Sequence, residues 1–391
     1  MFSAFRNPFA LATRGLALAG ALLLAACDGV PNASGGGGPS IDTSAPVPVA
    51  LLVPGGAGGD AIVSQSLENA ARLAIADLDK VQIDLRVYQT GGNAGGASAA
   101  ASRAADEGAK IILGPLYSEA ANAAGLAVAN RGLNVLAFSN NASIAGGNVF
   151  VLGNLFQNTS DRLTRYAASR GKGNIFVVNA RTTAEEIGRD AILNSINSSR
   201  ANLAGSASFD FSQQGIVAAV PQISQQVQAS GANSVFFTSD NDGAMSFLAQ
   251  MLPENGVGAP NHQFIGLARL DIPPEALSQP GLQGAWMALP DPGLSANFRS
   301  RYASAYGGAP HPLAGLSYDG IAAVGALVGK GKSDALTRAA LTQGSGFVGV
   351  NGIFRLLPDG TNQRGLAVGQ IQNSQVTVID AAPRSFGGFG F

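Results

Sequence analysis

The sequence offers few residues for covalent or metal chemistry. Cys27 is the only cysteine, which excludes an intrachain disulfide and leaves no second thiolate for a metal site. The two histidines, His262 and His311, lie far apart in proline-containing segments and match neither a metal cluster nor a catalytic triad. No pair of carboxylates stands out for hydrolysis. We therefore expect no cofactor, no bound metal ion and no enzymatic activity.

Charged residues and long apolar runs are also scarce. Charged residues make up only 13% of the chain, and 24 Lys and Arg balance 25 Asp and Glu, so no basic field is present to hold nucleic acid. Beyond the amino-terminal leader, the longest apolar run is 321–328, which is far short of the about 20 residues that a membrane-spanning helix needs. We expect neither a nucleic-acid partner nor a membrane-spanning helix.

Residues 1–26 are predicted to be a lipoprotein signal peptide. Arg6 and Arg14 give the leader a positive start, and the short apolar run 15–23 follows them. The next four residues, LAAC, end at Cys27 and match the bacterial lipobox. Cleavage before this cysteine would free it for lipid attachment, and the lipid would anchor the chain. The alternative is an ordinary secretory signal with an incidental cysteine.

Residues 27–45 are predicted to form a lipidated, flexible tether. They include four consecutive glycines at 35–38 together with prolines and small polar residues, a composition typical of linkers. The leader and the tether together predict a protein held at the periplasmic face of a bacterial membrane. Asp28 resembles an inner-membrane retention signal, but the choice between the inner and the outer membrane stays open.

Strand and helix patterns alternate from residue 47 onward. Apolar strands are predicted at 47–53 and 83–88, and the segment between them carries helical spacing over 66–79. The alternation resumes with a strand at 174–178, and 352–379 is rich in strands. Such alternation predicts an α/β fold with parallel sheets that helices cover on both faces. The length of the chain favours two lobes.

Several sequence blocks occur in an order that resembles a known family. They are VALLVPGGAGGDAIVSQSLENAARLAIADLD, IILGPLYSEAANAAGLAVANRGLNVLAFSN, NIFVVNA, SVFFTSDN, QFIGLA and LAGLSYDGIAAVGAL. The ordered set resembles the type I periplasmic binding proteins of the leucine-binding protein family. The lipobox, ILGPLYSEA with VLAFSNN, and GVNGIFRLLPDGTNQRGLAV look most similar to the branch of penicillin-binding protein activator lipoproteins.

The resemblance implies two lobes, joined by three crossovers, that hold a ligand in the cleft between them. Each lobe would be a parallel sheet with helices on both faces. Carried onto this chain, lobe one would comprise 46–153 and 287–345, and lobe two 154–286 and 346–380. Residues 381–391 would form a tail.

Tyr117, Ser118 and Glu119 are the first group of candidate ligand-binding residues. They follow the third predicted strand and open a helix. The resemblance implies that Ser118 and the adjacent amides receive the carboxylate of an amino acid, and a hydroxyl at the positive end of a helix suits an anion. The alternative is that Ser118 serves only as the N-cap of that helix.

Further candidate residues follow other strands, at the edge where the resemblance places the cleft. Ligands of open α/β sheets lie at this edge because loops and helix N-termini gather there. Asn140 and Asn141 also fit ordinary turn chemistry. The candidates are Ser139, Asn140 and Asn141 in lobe one, and Asn179, Thr238, Ser239 and Asp240 in lobe two.

Position 268 departs from the family pattern. The resemblance implies an acidic residue there, which would neutralise the ammonium group of an amino acid, but this chain has Ala268 followed by Arg269. A buried ammonium without a carboxylate is costly. Unless Asp240 or Asp242 substitutes, we expect leucine, isoleucine and valine to bind weakly.

Two functions remain open at this stage. The first is a binding protein that captures a small polar, amino-acid-like solute and delivers it to the permease of an ABC transporter. The second is an interaction protein on the same fold, which contacts a penicillin-binding protein and stimulates peptidoglycan synthesis. The fold alone cannot separate them, because function depends on the site.

Overall fold

A computed structural model describes residues 38–387, and every structural statement below refers to these residues. The predicted signal peptide, Cys27 and most of the predicted tether lie outside the described part of the chain. The first series of elements alternates strands and helices as expected. It consists of β1 (Val47–Val53), α1 (Gly59–Ala76), β2 (Ile83–Gln89), α2 (Ala94–Asp106), β3 (Ile111–Leu113), α3 (Ser118–Val128), β4 (Val135–Ala137) and β5 (Val149–Val151).

The remaining elements form a second alternating series and a strand-rich end. The second series consists of α4 (Phe156–Ser169), β6 (Asn174–Ala180), α5 (Thr183–Asn197), β7 (Asn202–Phe209), α6 (Gln213–Ser230), β8 (Ser234–Phe237), α7 (Met245–Glu254), β9 (Gln263–Gly266) and β10 (Trp286–Leu289). The end consists of α8 (Pro292–Tyr306), α9 (Ala314–Val328), α10 (Arg338–Leu341), β11 (Phe347–Gly349), β12 (Gly352–Leu356), β13 (Asn362–Arg364), β14 (Ala367–Gln372) and β15 (Gln375–Asp380).

The first sheet is entirely parallel, as predicted. Its strand order is β2-β1-β3-β4-β5, and Val49 of β1 lies opposite Leu85 on one side and Ile111 on the other. The short strands β3, β4 and β5 are buried along their whole length. Strands buried on both faces are continuous apolar runs, which explains sequences such as IIL and VLA.

The second sheet contains the predicted parallel strands and, at one edge, two antiparallel strands. Its order is β15-β14-β10-β9-β8-β6-β7, in which β14 is antiparallel to β10 and β15 is antiparallel to β14. Only Asn373 and Ser374 connect β14 to β15, both with positive φ. A two-residue connection with φ > 0 makes a hairpin, so β15 runs antiparallel to β14. The predicted parallel arrangement holds for β10-β9-β8-β6-β7, and the two edge strands depart from it.

The third sheet, β11-β12-β13, is antiparallel and packs with the first sheet. Phe347, Phe354 and Leu356 share one hydrophobic core with residues of β1, β3 and α9. The polypeptide therefore passes between the first and second sheets after β5, after β10 and after β13. Residues 287–289 pair in the second sheet, although the sequence assigned them to lobe one. Residues 347–364 pack with the first sheet, although the sequence assigned them to lobe two.

No helix within residues 38–387 combines the length and the apolar character needed to cross a membrane.

Candidate ligand-binding cleft

A cavity of about 650 Å³ lies among residues that follow strands of both large sheets. This cavity, which we call the cleft cavity, has a size typical of small-molecule sites. Its apolar wall is formed by Leu116, Phe138, Leu267, Ala288, Pro290, Pro312, Leu313, Leu316 and Leu366. Its other lining residues are Tyr117, Ser118, Ser139, Asn140, Asn141, Gly153, Asn154, Thr159, Arg269, Asn351 and Arg364.

Ser118 lines the cleft cavity and is the first residue of α3 rather than its N-cap. The N-cap is Tyr117, and its side chain makes no capping hydrogen bond. The purely capping interpretation of Ser118 is therefore wrong, because its hydroxyl caps no amide of the helix. Among the described residues, this hydroxyl makes no hydrogen bond. It is free, together with the first-turn amides of α3, to meet an anion.

Tyr117 lies at the edge of the cleft cavity and is fixed by Asp60. Its phenol donates a hydrogen bond of 2.5 Å to Asp60 Oδ1 at the beginning of α1. This hydrogen bond, with a smaller contribution from burial, raises the pKa of Tyr117 above its usual value. The phenol therefore stays protonated and keeps its donor role. Glu119 is exposed and does not line the cleft cavity.

Ser139, Asn140 and Asn141 all line the cleft cavity, and two of them also serve the turn that follows β4. Ser139 Oγ accepts a hydrogen bond of 3.1 Å from the Asn141 amide nitrogen, and Asn141 Oδ1 caps the Ser143 amide at 2.9 Å. The turn interpretation is thus compatible with a binding role. The Asn140 side chain is exposed, and within 38–387 it makes no hydrogen bond, so its amide faces the cavity unoccupied.

The lobe-two candidates lie at strand ends but do not line the cleft cavity. The hydroxyls of Thr238 and Ser239 both donate to Glu185 Oε2 at 2.8 Å, and the same oxygen accepts the Ala180 N–H at 2.6 Å. These bonds hold the first turn of α5 against β6 and β8. A ligand contact by either hydroxyl stays a prediction.

Asn179 and Asp240 also have partners at these strand ends. Asn179 is fully buried and accepts a hydrogen bond of 3.0 Å from Ser208 Oγ. Asp240 Oδ1 accepts the Gly243 N–H at 2.8 Å in the loop after β8. Neither residue lines the cleft cavity, and their proposed ligand contacts likewise stay predictions.

Arg269 was noted in the sequence only as a departure from the family pattern, but it lines the cleft cavity. Asp271 takes one edge of its guanidinium, with Nε at 2.6 Å from Oδ1 and Nη2 also bonded to the carboxylate. Asp271 itself does not line the cavity. In the described part of the chain Nη1 makes no hydrogen bond, so two of its N–H donors are available.

Arg364 forms the buried base of the cleft cavity and was missed by sequence reasoning. Its Nη1 lies 2.9 Å from Asp319 Oδ2 on α9, and Nε donates to the Leu152 carbonyl at 3.0 Å. Burial raises the pKa of Asp319, and the neighbouring Arg364 opposes that rise by stabilising the carboxylate. Asp319 also accepts the Val350 N–H at 2.8 Å.

Side chains of β13 also hydrogen-bond to the segment that connects the two large sheets after β5. Asn362 Nδ2 donates to the carbonyls of Val151 and Gly153 at 2.8 Å each, and Arg364 Nη2 donates to the carbonyl between them. Three consecutive carbonyls, beginning with that of the last residue of β5, thus accept hydrogen bonds from side chains of β13. No group of three or more His, Cys, Asp or Glu able to hold a metal ion is present among the described residues.

Two large sheets flanked by helices, with a cavity at the ends of their strands that polar and apolar residues line, define a two-lobed binding-protein fold. Residues 46–375 match the family model of the periplasmic binding proteins, and the chain belongs to that family. A search of curated proteins found no match.

Solved structures share the fold over most of the chain. A putative branched-chain amino acid ABC transporter protein from Rhodospirillum rubrum is 17% identical, with a TM-score of 0.73 over 86% of this chain and 100% of that chain. A branched-chain amino acid ABC transporter periplasmic ligand-binding protein from Burkholderia xenovorans is 17% identical, with a TM-score of 0.67 over 88% and 97%. A solute-binding protein of an R. palustris ABC transporter, in complex with benzoate, is 15% identical, with a TM-score of 0.56 over 89% and 99%.

Proposed function

We propose that this protein is the solute-binding component of an ABC uptake system and captures a small ligand in the cleft cavity. The observation that carries the proposal is a cavity of about 650 Å³ whose lining comes from both large sheets. An apolar wall supplies binding energy, and a few polar groups fix orientation, which is the usual design of small-molecule sites. The partner is the permease of an ABC transporter, a role supported by the descriptions of the similar structures.

The proposal includes a lipid anchor on Cys27. The basic leader and the LAAC motif that ends at this cysteine support it. The residues between Cys27 and β1 would tether the binding domain at the periplasmic face of a bacterial membrane. Such a tether keeps the domain close to a permease in the same membrane and raises its effective concentration there.

The lining of the cleft cavity supports the expectation that branched-chain amino acids bind only weakly. Position 268 lacks the expected acid, and neither Asp240 nor Asp242 lines the cavity to replace it. We therefore propose that this protein shares the fold of the leucine-binding proteins but binds a different ligand.

Thermal unfolding of the purified full-length protein tests the proposal. A panel of amino acids and small carboxylic acids is added, and a true ligand raises stability by RT ln(1 + [L]/Kd), about 2.7 kcal/mol at a hundredfold excess over Kd. Ala288→Phe fills the cleft cavity from β10 and abolishes the shift. Ala129→Phe, at an exposed position outside the cavity lining, retains it.

Absence of a shift with every ligand contradicts the solute-binding proposal. The alternative, an interaction protein that activates a penicillin-binding protein, then gains support if such an enzyme co-purifies with the native lipoprotein. This alternative rests on the resemblance of GVNGIFRLLPDGTNQRGLAV and the lipobox to the activator branch.

A further inference from the structure

The charges that line the cleft cavity are all positive. Arg269 and Arg364 are its only ionisable lining residues apart from Tyr117, and no Asp or Glu belongs to the lining formed by the described residues. A ligand ammonium placed in this cavity would therefore meet two guanidinium groups and no carboxylate. Burying a cation without a counter-charge is unfavourable, because the lost hydration is not replaced.

The two arginines differ in how many of their guanidinium nitrogens are hydrogen-bonded and in how exposed their side chains are. All three nitrogens of the Arg364 guanidinium are bonded, to Asp319 and to the Leu152 carbonyl, and its side chain is only 5% exposed. Every nitrogen of Arg364 is therefore anchored by one hydrogen bond, and Nη1 and Nη2 each keep one further N–H. Arg269 is paired through one edge only, and its side chain is 38% exposed.

In the ion pair between Arg269 and Asp271, the arginine lines the cavity and the aspartate does not. The Asp271 side chain is 14% exposed, less than half the exposure of Arg269, and Asp271 is not a lining residue. Because Asp271 bonds Nε and Nη2, it fixes the guanidinium and leaves Nη1 without a partner among the described residues. A planar guanidinium held in this way binds carboxylate oxygens with strong, charge-assisted hydrogen bonds.

The rest of the lining is neutral and complements an apolar acid. Ser118 and Asn140 provide donors that are otherwise unbonded within 38–387, and Leu116, Phe138 and Leu267 provide an apolar wall. Arg364 is held by Asp319 and the Leu152 carbonyl and its side chain is only 5% exposed, so Arg269 is the more accessible of the two guanidinium groups. The cavity therefore suits one carboxylate attached to an apolar body.

We infer, on the basis of the solute-binding function proposed above, that the ligand is a small organic acid with an apolar body and no ammonium group. Arg269 is the specificity-determining residue, because it contacts the carboxylate through Nη1. Its position directly after Ala268 places a cation next to the position at which an amino-acid binder needs an anion.

A matched pair of ligands tests the inference on the full-length protein. Leucine and 4-methylpentanoate share a carbon skeleton and differ by the ammonium group, and 4-methylpentanamide removes the carboxylate charge. Binding is followed by the fluorescence of Trp286, the only tryptophan, which lies on β10 two residues before the cavity residue Ala288. We expect the Kd of 4-methylpentanoate to be at least about tenfold lower than the Kd of leucine or of the amide, a difference of about 1.4 kcal/mol.

Variants assign the effect to Arg269. Arg269→Gln alone leaves Asp271 without its partner, so the double variant Arg269→Gln/Asp271→Asn keeps a neutral, hydrogen-bonding pair of similar shape. This double variant should bind 4-methylpentanoate no better than the amide while its unfolding midpoint stays near that of the parent. If it folds and keeps the parent's preference for the acid, Arg269 is not the determinant and the inference is overturned.

The outcomes for the inference and for the proposed function are distinct. Tighter binding of leucine than of 4-methylpentanoate overturns the inference but leaves a solute-binding protein. If neither these ligands nor any other amino acid or small carboxylic acid binds, the proposed function fails and the inference fails with it.

Discussion

Arg364 and Asp319 form a buried ion pair beneath the cleft cavity. The Nη1–Oδ2 distance is 2.9 Å, Asp319 is fully buried, and the Arg364 side chain is 5% exposed. Arg364 lies at the end of β13, where the polypeptide crosses to the second sheet, and Asp319 lies on α9 beside the first. The same guanidinium bonds the Leu152 carbonyl, at the connection that follows β5. The pair thus ties a helix of the first lobe to two connections between the lobes.

Removing one member of this ion pair should destabilise the protein strongly. Asp319→Asn leaves the buried guanidinium without its counter-charge, and such losses cost about 3–5 kcal/mol. Denaturant-induced unfolding measures the change in the free energy of unfolding. The double variant Asp319→Leu/Arg364→Met removes both charges and should cost less than the single variant. A loss below about 1 kcal/mol for Asp319→Asn would contradict the structural role of the pair.

Ser118→Ala and Ser212→Ala should have opposite effects. Ser118 caps no amide, so its loss should change stability by less than about 0.5 kcal/mol, typical of positions without special interactions, while ligand affinity falls. Ser212 is the N-cap of α6, and its side chain accepts the Gly215 N–H at 3.0 Å. Its replacement should cost about 0.5–2 kcal/mol of stability and leave ligand affinity unchanged.

Unfolding curves and ligand titrations on both serine variants separate these roles. If Ser118→Ala lowers stability as much as Ser212→Ala does, the hydroxyl has a capping function that the structure does not show. If its ligand affinity equals that of the parent, Ser118 does not contact the ligand.

Cys27→Ala should abolish lipidation. The predicted lipobox LAAC ends at this residue, and the chain has no other cysteine to accept a lipid. We expect loss of palmitate labelling and accumulation of the uncleaved precursor in cells that express the variant. Unchanged labelling would contradict the lipobox interpretation and favour an ordinary secretory leader.

Sequence patterns predicted those elements whose apolar spacing is strong. The strand at 47–53 was predicted exactly as β1 occurs, and 83–88 differs from β2 by one residue. The helix α8 was missed because its apolar residues are not concentrated on one face; its buried residues are Ser295, Phe298 and Tyr302. A local signal was present, since Asp291 accepts the Leu294 N–H as an N-cap and a proline follows it.

The sequence identified lining residues of the cleft cavity that follow strands of the first sheet. Ser118 and 139–141 are among them. Arg364 comes from a distant part of the chain, and its partner Asp319 lies on a helix 45 positions earlier. Only the packing of the third sheet against the first brings them together, and neither periodicity nor composition encodes such a long-range contact.

Hydrogen exchange with and without 4-methylpentanoate tests most directly whether the cleft cavity is the ligand site. The measurement compares backbone amide exchange in peptides across the full-length protein at a saturating ligand concentration. The account predicts slower exchange in three separated segments, 116–120, 138–141 and 267–271, which contain the lining residues Ser118, Asn140 and Arg269. Unchanged exchange in these segments, or protection confined to other parts of the protein, would contradict it.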